Sequence, residues 1–296
     1  SLLMVGDEQP AELHALVHHL NALLGNVGST LWHTESDRAA ISNRESLSAL
    51  VKSMHSGAVS TLLILGVNPV YDAPADLRFE VALAKVKFRV HLGTHRDETS
   101  RLCEWHIPQT HFLEEWGDLR SADGTTSIVQ PLIAPLYRGK SVIEFLAMIA
   151  GENTQKPMAM VQETWKTHLG ADFAKKWRKS LHNGVIEGSG LPPLSLPVQE
   201  KWIAGVTPAD RGISYDSTKI ELNFRPDPTI GTGANANNGW LQEQAKPLTK
   251  LAWDNALLVG PKFAQDQGLA NEDVVAITVE DRVIEAPVWI IPGHAD

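Results

Sequence analysis

The stretch Ser60-Thr-Leu-Leu-Ile-Leu-Gly-Val-Asn-Pro69 constrains the fold more than any other part of this chain. It is apolar without a break from Leu62 to Leu65, too short for a buried helix, and bounded by turn-forming residues. Helical patterns precede it. Leu13, Leu16, Val17, Leu20, Leu23 and Leu24 recur at the i, i+3, i+4, i+7 spacing of an amphipathic helix, with Gly25 placed to close it. Leu47, Leu50, Val51 and Met54 repeat the pattern, with Ser42 or Asn43 as N-cap and Gly57 at the end. Helix, apolar strand, then Gly-x-Asn-Pro reads as a buried parallel strand that delivers a loop at its carboxyl end.

The alternation continues. Residues 76–85 read as a helix, 87–92 as a strand and 93–97 as a polar loop. Asp97-Glu-Thr-Ser100 reads as the start of a helix carrying Leu102 and Trp105, 127–129 as a further strand and 141–150 as a helix. The expected class is α/β, a parallel sheet layered with helices. Val161, Trp165, Leu169, Phe173, Trp177 and Leu181 fall four apart and predict one long amphipathic helix, its aromatic stripe either core or a partner surface. Residues 184–197, rich in Gly, Pro and Ser, read as a linker. Beyond 218 the period changes to two: Lys219-Ile-Glu-Leu-Asn-Phe224 predicts a strand, as do 274–279 and 283–291, with a short helix at 261–267 between. This pattern predicts a small barrel. Both ends read as internal to a longer chain, the last strand in want of a partner.

The 296 residues suffice for about two domains. A net charge of −9 gives no footprint for nucleic acid. The longest apolar runs, 61–67 and 145–150, fall far short of the roughly 20 residues that span a bilayer, so no direct membrane insertion is expected. The single cysteine, Cys103, excludes an internal disulfide and any cysteine-held iron–sulfur cluster within the chain. Cys103, His106 and His111, with His95 and Asp97 nearby, could be read as a metal site. A buried thiol beside hydrogen-bonded histidines is the simpler reading, because paired ligands are missing. Glu114, Glu115 and Asp118 are close enough for acid–base work, or are structural carboxylates. Gly25-Asn-Val-Gly28 follows a helix rather than a strand and fails the requirement for a phosphate loop.

Four segments carry a family resemblance: Gly66-Val-Asn-Pro-Val-Tyr-Asp-Ala-Pro-Ala75, Thr110-His-Phe-Leu-Glu-Glu-Trp-Gly-Asp118, Gln130-Pro-Leu-Ile-Ala-Pro-Leu-Tyr137, and Asn237-Asn-Gly-Trp-Leu-Gln-Glu243 leading to Thr249-Lys-Leu-Ala-Trp-Asp-Asn255. In this order they resemble the large subunits of molybdopterin oxidoreductases, most closely the molybdopterin-like B subunits of alternative complex III, a quinol-oxidising membrane complex. The resemblance implies that residues 1–190 are an α/β domain, the third of that family, and 191–214 a linker. Residues 215–296 would be the start of a double-psi β-barrel. It implies cofactor contacts from Gly66, Asn68 and Pro69, from Glu98 and Thr99 at the next loop, and from Asn238, Trp240 and Gln242 in the barrel domain. Asn68-Pro69 can instead be a strand-ending turn, the reading favoured here.

Trp105-His-Ile-Pro108 stands where many cofactor-bearing members have Val-Leu-Pro. The B subunits have lost pterin and molybdenum, so the resemblance implies no cofactor in this segment. Molybdopterin guanine dinucleotide in the parent remains the alternative, with iron–sulfur clusters elsewhere in it. The implied partners are other subunits of a membrane-bound respiratory complex, on the periplasmic side of the bacterial inner membrane. Three functions follow, in this order: a scaffold or electron-transfer subunit of a quinol-oxidising complex, part of an active molybdenum bis(pterin guanine dinucleotide) oxidoreductase, or an independent α/β ligand-binding module.

Overall fold

The computed structural model describes residues 1–6, 9–35, 44–152, 156–196 and 220–295. The chain divides into two compact units, Ser1–Lys219 and Ile220–Asp296.

In the first unit, α1 (Ala11–Leu23) and α2 (Arg44–His55) precede β1 (Thr61–Leu65). The one-turn α3 (Pro69–Asp72), a 3-10 turn (Ala75–Leu77) and α4 (Phe79–Leu83) lead to β2 (Phe88–Gly93). A one-turn α5 (Glu98–Arg101) leads to β3 (Trp105–Pro108). The three strands form a parallel sheet in the order β1-β2-β3, with Leu65 opposite Leu92 and His91 opposite His106. This is the parallel α/β layer expected from the apolar run.

Successive residues of β1 feed different clusters. Ile64 joins Val51 and Met54 of α2 and Phe79, Ala82 and Leu83 of α4. Leu65 packs against Val90, Leu92 and Phe145. The alternation follows from the pleat, and it explains why the strand is apolar at consecutive positions: both faces are covered. Met54, Leu83 and Leu92 are fully buried, each contributing about 1.5–3 kcal/mol through burial.

Several local expectations are corrected. The helix over 76–85 is broken at Arg78, which takes φ +47 between the 3-10 turn and α4. The helix from Asp97 stops after one turn, and Trp105 lies in β3 instead. The reason is Glu104: its carboxylate accepts the Arg89 N–H and its own N–H donates to the Arg89 carbonyl, so the chain is drawn into the sheet beside β2. The strand at 127–129 is not in the parallel sheet. It is β5 (Thr126–Val129), antiparallel to β4 (Gly117–Arg120) in a separate hairpin.

The helix α6 (Val142–Ile149) begins with a capping box, in which Ser141 Oγ accepts the Glu144 N–H and the Glu144 carboxylate accepts the Ser141 N–H. The single long helix over 161–181 is two helices, α7 (Pro157–Leu169) and α8 (Phe173–Asn183). Gly170 (φ +57) and Asp172 (φ +62) turn the chain between them. Trp165 and Trp177 still meet in one core with Ile128, Val161, Leu169 and Ile186. The aromatic stripe is therefore interior, not a partner surface.

The linker expected at 184–197 is docked over its described part. The Ile186 N–H donates to the Thr126 carbonyl, Ser189 Oγ accepts the Thr126 N–H, and the Leu191 N–H donates to the Asp123 carbonyl. Residues 197–214 of the expected linker, the N-cap positions Ser42 and Asn43, and Lys219 lie outside the described residues.

In the second unit, 220–224 carry no regular structure, so the strand expected there is absent from them. The elements are α9 (Gly239–Glu243), β6 (Leu257–Val259), α10 (Pro261–Gln267), β7 (Val274–Val279) and β8 (Arg282–Ile290). β8 is central, parallel to β6 and antiparallel to β7. Val259, Ala264 and Val288 form its core. Asp227 anchors a turn: its carboxylate accepts the Thr229 and Ile230 N–H groups and the Thr229 hydroxyl, and pairs with the buried Lys246 at 3.3 Å. Among the described residues, no helix is long and apolar enough to cross a membrane.

Candidate functional site at the strand tips

Parallel strands deliver their following loops to one end of the sheet. Gly66 leaves β1 with φ +68 while its N–H donates to the Leu92 carbonyl at 2.8 Å. A Cβ there would stand 3.1 Å from Gln109 Oε1, so the glycine admits the Gln109 amide as well as the turn. Asn68 follows, and Pro69 opens α3 at a position whose N–H would lack a partner anyway.

Asn68 clasps the loop after β2. Its Nδ2 donates to Glu98 Oε2 at 2.8 Å, and its Oδ1 accepts both the Thr99 hydroxyl (2.7 Å) and the Thr99 N–H (3.2 Å). Thr99, fully buried, returns the contact by accepting the Val70 N–H at 3.1 Å. The structure thus brings Gly66, Asn68, Pro69, Glu98 and Thr99 together. Asp97 caps α5, its Oδ1 accepting the Ser100 N–H at 2.8 Å.

The charges at this end are tuned by these contacts. The hydrogen bond from Asn68 is the main cause that holds the Glu98 carboxyl below its ordinary range. Burial pushes Asp72 up, and Asp97 adds to the rise. Burial likewise pushes the Cys103 thiol up, which disfavours the reactive thiolate.

A pterin dinucleotide would need donors for its phosphates here. The acceptor of Asn68 is spent on Thr99, and its amide group donates to Glu98, a carboxylate that would repel a phosphate placed there. The residues present do not fit a phosphate at Asn68. Gln109 points the other way: its Oε1 is buried without a hydrogen-bond partner, an open acceptor next to Gly66.

The remaining candidates have structural employment. Glu114 accepts the His111 N–H and the Leu136 N–H, Glu115 accepts the Thr110 hydroxyl, and Asp118 accepts the Trp165 indole N–H. Among the described residues, no group of three or more His, Cys, Asp or Glu is placed to hold a metal ion. In the second unit, Asn238 Oδ1 accepts the Leu241 N–H and so caps α9. Trp240 is 90% exposed. Gln242 donates from Nε2 to the Ala236 carbonyl, while its Oε1 is buried without a partner.

Sequence reasoning missed Gln109 and the pairing of His91 with His106. A histidine inside the apolar strand Val90-His-Leu92 was the available signal. Reading 97–105 as a helix hid its partner.

No family model matches the chain. Over 126 residues the chain is 31% identical to "Menaquinone reductase, molybdopterin-binding-like subunit" of Nitratidesulfovibrio vulgaris, a stretch that makes up 40% of this chain and 18% of that protein. Among solved structures it is similar to acetylene hydratase from Pelobacter acetylenicus, with a TM-score of 0.49 and 15% identity over 83% of this chain and 37% of that one. The first of these relatives bears out the likeness to molybdopterin-type subunits over the stretch it matches.

Proposed function

We propose that this chain, of molybdopterin-oxidoreductase type in sequence, is a cofactor-free part of the large subunit of a membrane-bound complex that exchanges electrons with the quinone pool. The role of that subunit is scaffolding and electron transfer between other subunits, and this segment contributes the scaffold. The observation that carries this reading is the Asn68–Thr99–Glu98 clasp, in which a loop of cofactor-cradle shape spends its polar groups on itself. The similar protein is named for menaquinone reduction, whereas the resemblance in sequence is to quinol-oxidising complexes. Both exchange two electrons with the same pair, and we assign the oxidising direction. Iron–sulfur clusters elsewhere in the parent would carry the electrons, on the periplasmic side of the inner membrane. Residues 1–190 are the third domain of such a subunit, and the β6-β8-β7 sheet the beginning of a double-psi barrel.

The test is metal and pterin analysis of the intact parent protein. The expected result is molybdenum and guanine-containing pterin well below one per chain; stoichiometric amounts of both would overturn the proposal. A second reading, an active molybdenum bis(pterin guanine dinucleotide) oxidoreductase, is favoured by one observation. The open acceptor of Gln109 beside Gly66 is where a ligand N–H would be satisfied. In that case Gly66, Asn68, Pro69, Glu98 and Thr99 would be its contacts in the first unit.

A further inference from the structure

Two histidines face each other inside the sheet and have no part in the clasp. His91, on the central strand β2, is fully buried. His106 is its register partner on β3. The rings stack with centroids 5.2 Å apart and planes at 25°, and Nδ1 faces Nδ1 at 3.0 Å. Two ring nitrogens at that distance share one hydrogen: two hydrogens would collide, and none would oppose two lone pairs. The other nitrogen of His91, Nε2, lies 3.2 Å from the Val67 carbonyl oxygen, which can only accept. His91 Nε2 therefore carries a hydrogen and donates it.

Two arrangements remain for the shared hydrogen. If it belongs to His91, that ring is an imidazolium without contact to solvent. The carboxylate facing it, Asp97 Oδ2, stands at 3.7 Å, beyond hydrogen-bond range. If the hydrogen belongs to His106, both rings are neutral and every facing nitrogen has a partner. An unpaired buried charge is the costlier state. The second arrangement leaves a free lone pair on one nitrogen of the pair, Nε2 of the half-buried His106.

We propose that His91 and His106 form a proton-binding site that takes up a single proton, at Nε2 of His106, and communicates its presence through His91 to the Val67 carbonyl in the loop after β1. The step is a simple one. An acid in solution gives its proton to His106 Nε2, one N–H bond forms, and the positive charge strengthens the Nδ1–H···Nδ1 bond to His91. From the loop after β2, Asp97 favours the added charge and Arg96 opposes it. The loop after β1 presents the Val67 carbonyl. Burial is the largest influence and pushes His106 below the ordinary imidazole range, so the site fills on the acid side of neutrality. This proposal stands independently of the cofactor-free reading.

The test is nuclear magnetic resonance of the protein labelled with [15N]histidine, together with the variant His106→Asn. Asparagine can place an N–H donor where Nδ1 of His106 stood, yet has nothing to titrate. At mildly alkaline pH, His91 is expected to show a protonated Nε2 and a bare Nδ1, and His106 the reverse. On acidification the His106 signals move with a midpoint below that of an ordinary imidazole, and the His91 signals follow with the same midpoint. In H106N the His91 signals stay flat over that range. A protonated Nδ1 on His91 at alkaline pH, separate midpoints for the two rings, or an unchanged His91 response in H106N would overturn the proposal. If H106N does not fold, the tautomers and midpoints of the unaltered protein decide it alone.

Discussion

At Gly66, a left-handed backbone and a close side chain coincide: φ is +68, and Gln109 Oε1 waits 3.1 Å from where a Cβ would be. Gly66→Ala is expected to cost about 1–3 kcal/mol, from backbone handedness and crowding together. It should appear as a lower urea midpoint at unchanged slope; a midpoint equal to that of the unaltered protein would contradict the account. Asn68 acts by hydrogen bonding. Asn68→Ala strands the buried Thr99 hydroxyl and is expected to cost about 1–3 kcal/mol. Asn68→Asp sets a second carboxylate against Glu98, so its penalty should shrink as pH falls and Glu98 is neutralised. A penalty independent of pH would show that Glu98 does not face residue 68. Asp227 offers a test in the second unit. Burial alone would raise its carboxyl. The hydrogen bonds from Thr229 and Ile230, with Lys246, outweigh that and hold it at about 2, against 3.8 for a free side chain. A carboxyl depressed by folding stabilises fully above the unfolded value and loses that contribution as pH falls towards the folded one. The second unit should therefore lose at most about 2 kcal/mol between pH 4 and 2 from this group. Asp227→Asn should flatten that part of the stability profile, and a profile of unchanged slope would refute the assignment.

The elements that declared themselves in the sequence did so through periodicity backed by local chemistry. Ser141 and Glu144 announce α6 three residues apart, and the capping box forms. Ser141→Ala is expected to cost about 1 kcal/mol, read as a lower melting temperature. A change within error would mean that the helix start is held by its packing instead. Other elements were hidden because a non-local contact overrides a local pattern. Residues 97–105 have the composition of a helix start, but the pairing of Glu104 with Arg89, 15 positions earlier, converts the end of that stretch into strand. The four-residue stagger from Val161 to Leu181 survives as one buried stripe across two helices, because Gly170 and Asp172 turn the chain without turning the stripe away from the core. The candidate site was legible to the same degree. Gly66, Asn68 and Pro69 stand out by type and spacing and do meet Glu98 and Thr99, whereas Gln109 and the histidine pair become visible only when register sets β3 beside β2.

For the molecule as a whole, the division into Ser1–Lys219 and Ile220–Asp296 implies two cooperative transitions rather than one. Ser141→Ala and Asp227→Asn should each lower a different transition in calorimetry, and a single transition lowered by both would show that the units unfold together. The parallel β1-β2-β3 sheet has a further consequence for how such a protein changes over time. Its hydrophobic clusters occupy the two faces of the sheet, while the polar loops gather at one rim. Substitutions at the rim can erase or install recognition of a small molecule with little disturbance to the floor beneath. An architecture divided in this way can outlive its original chemistry and be kept for its shape.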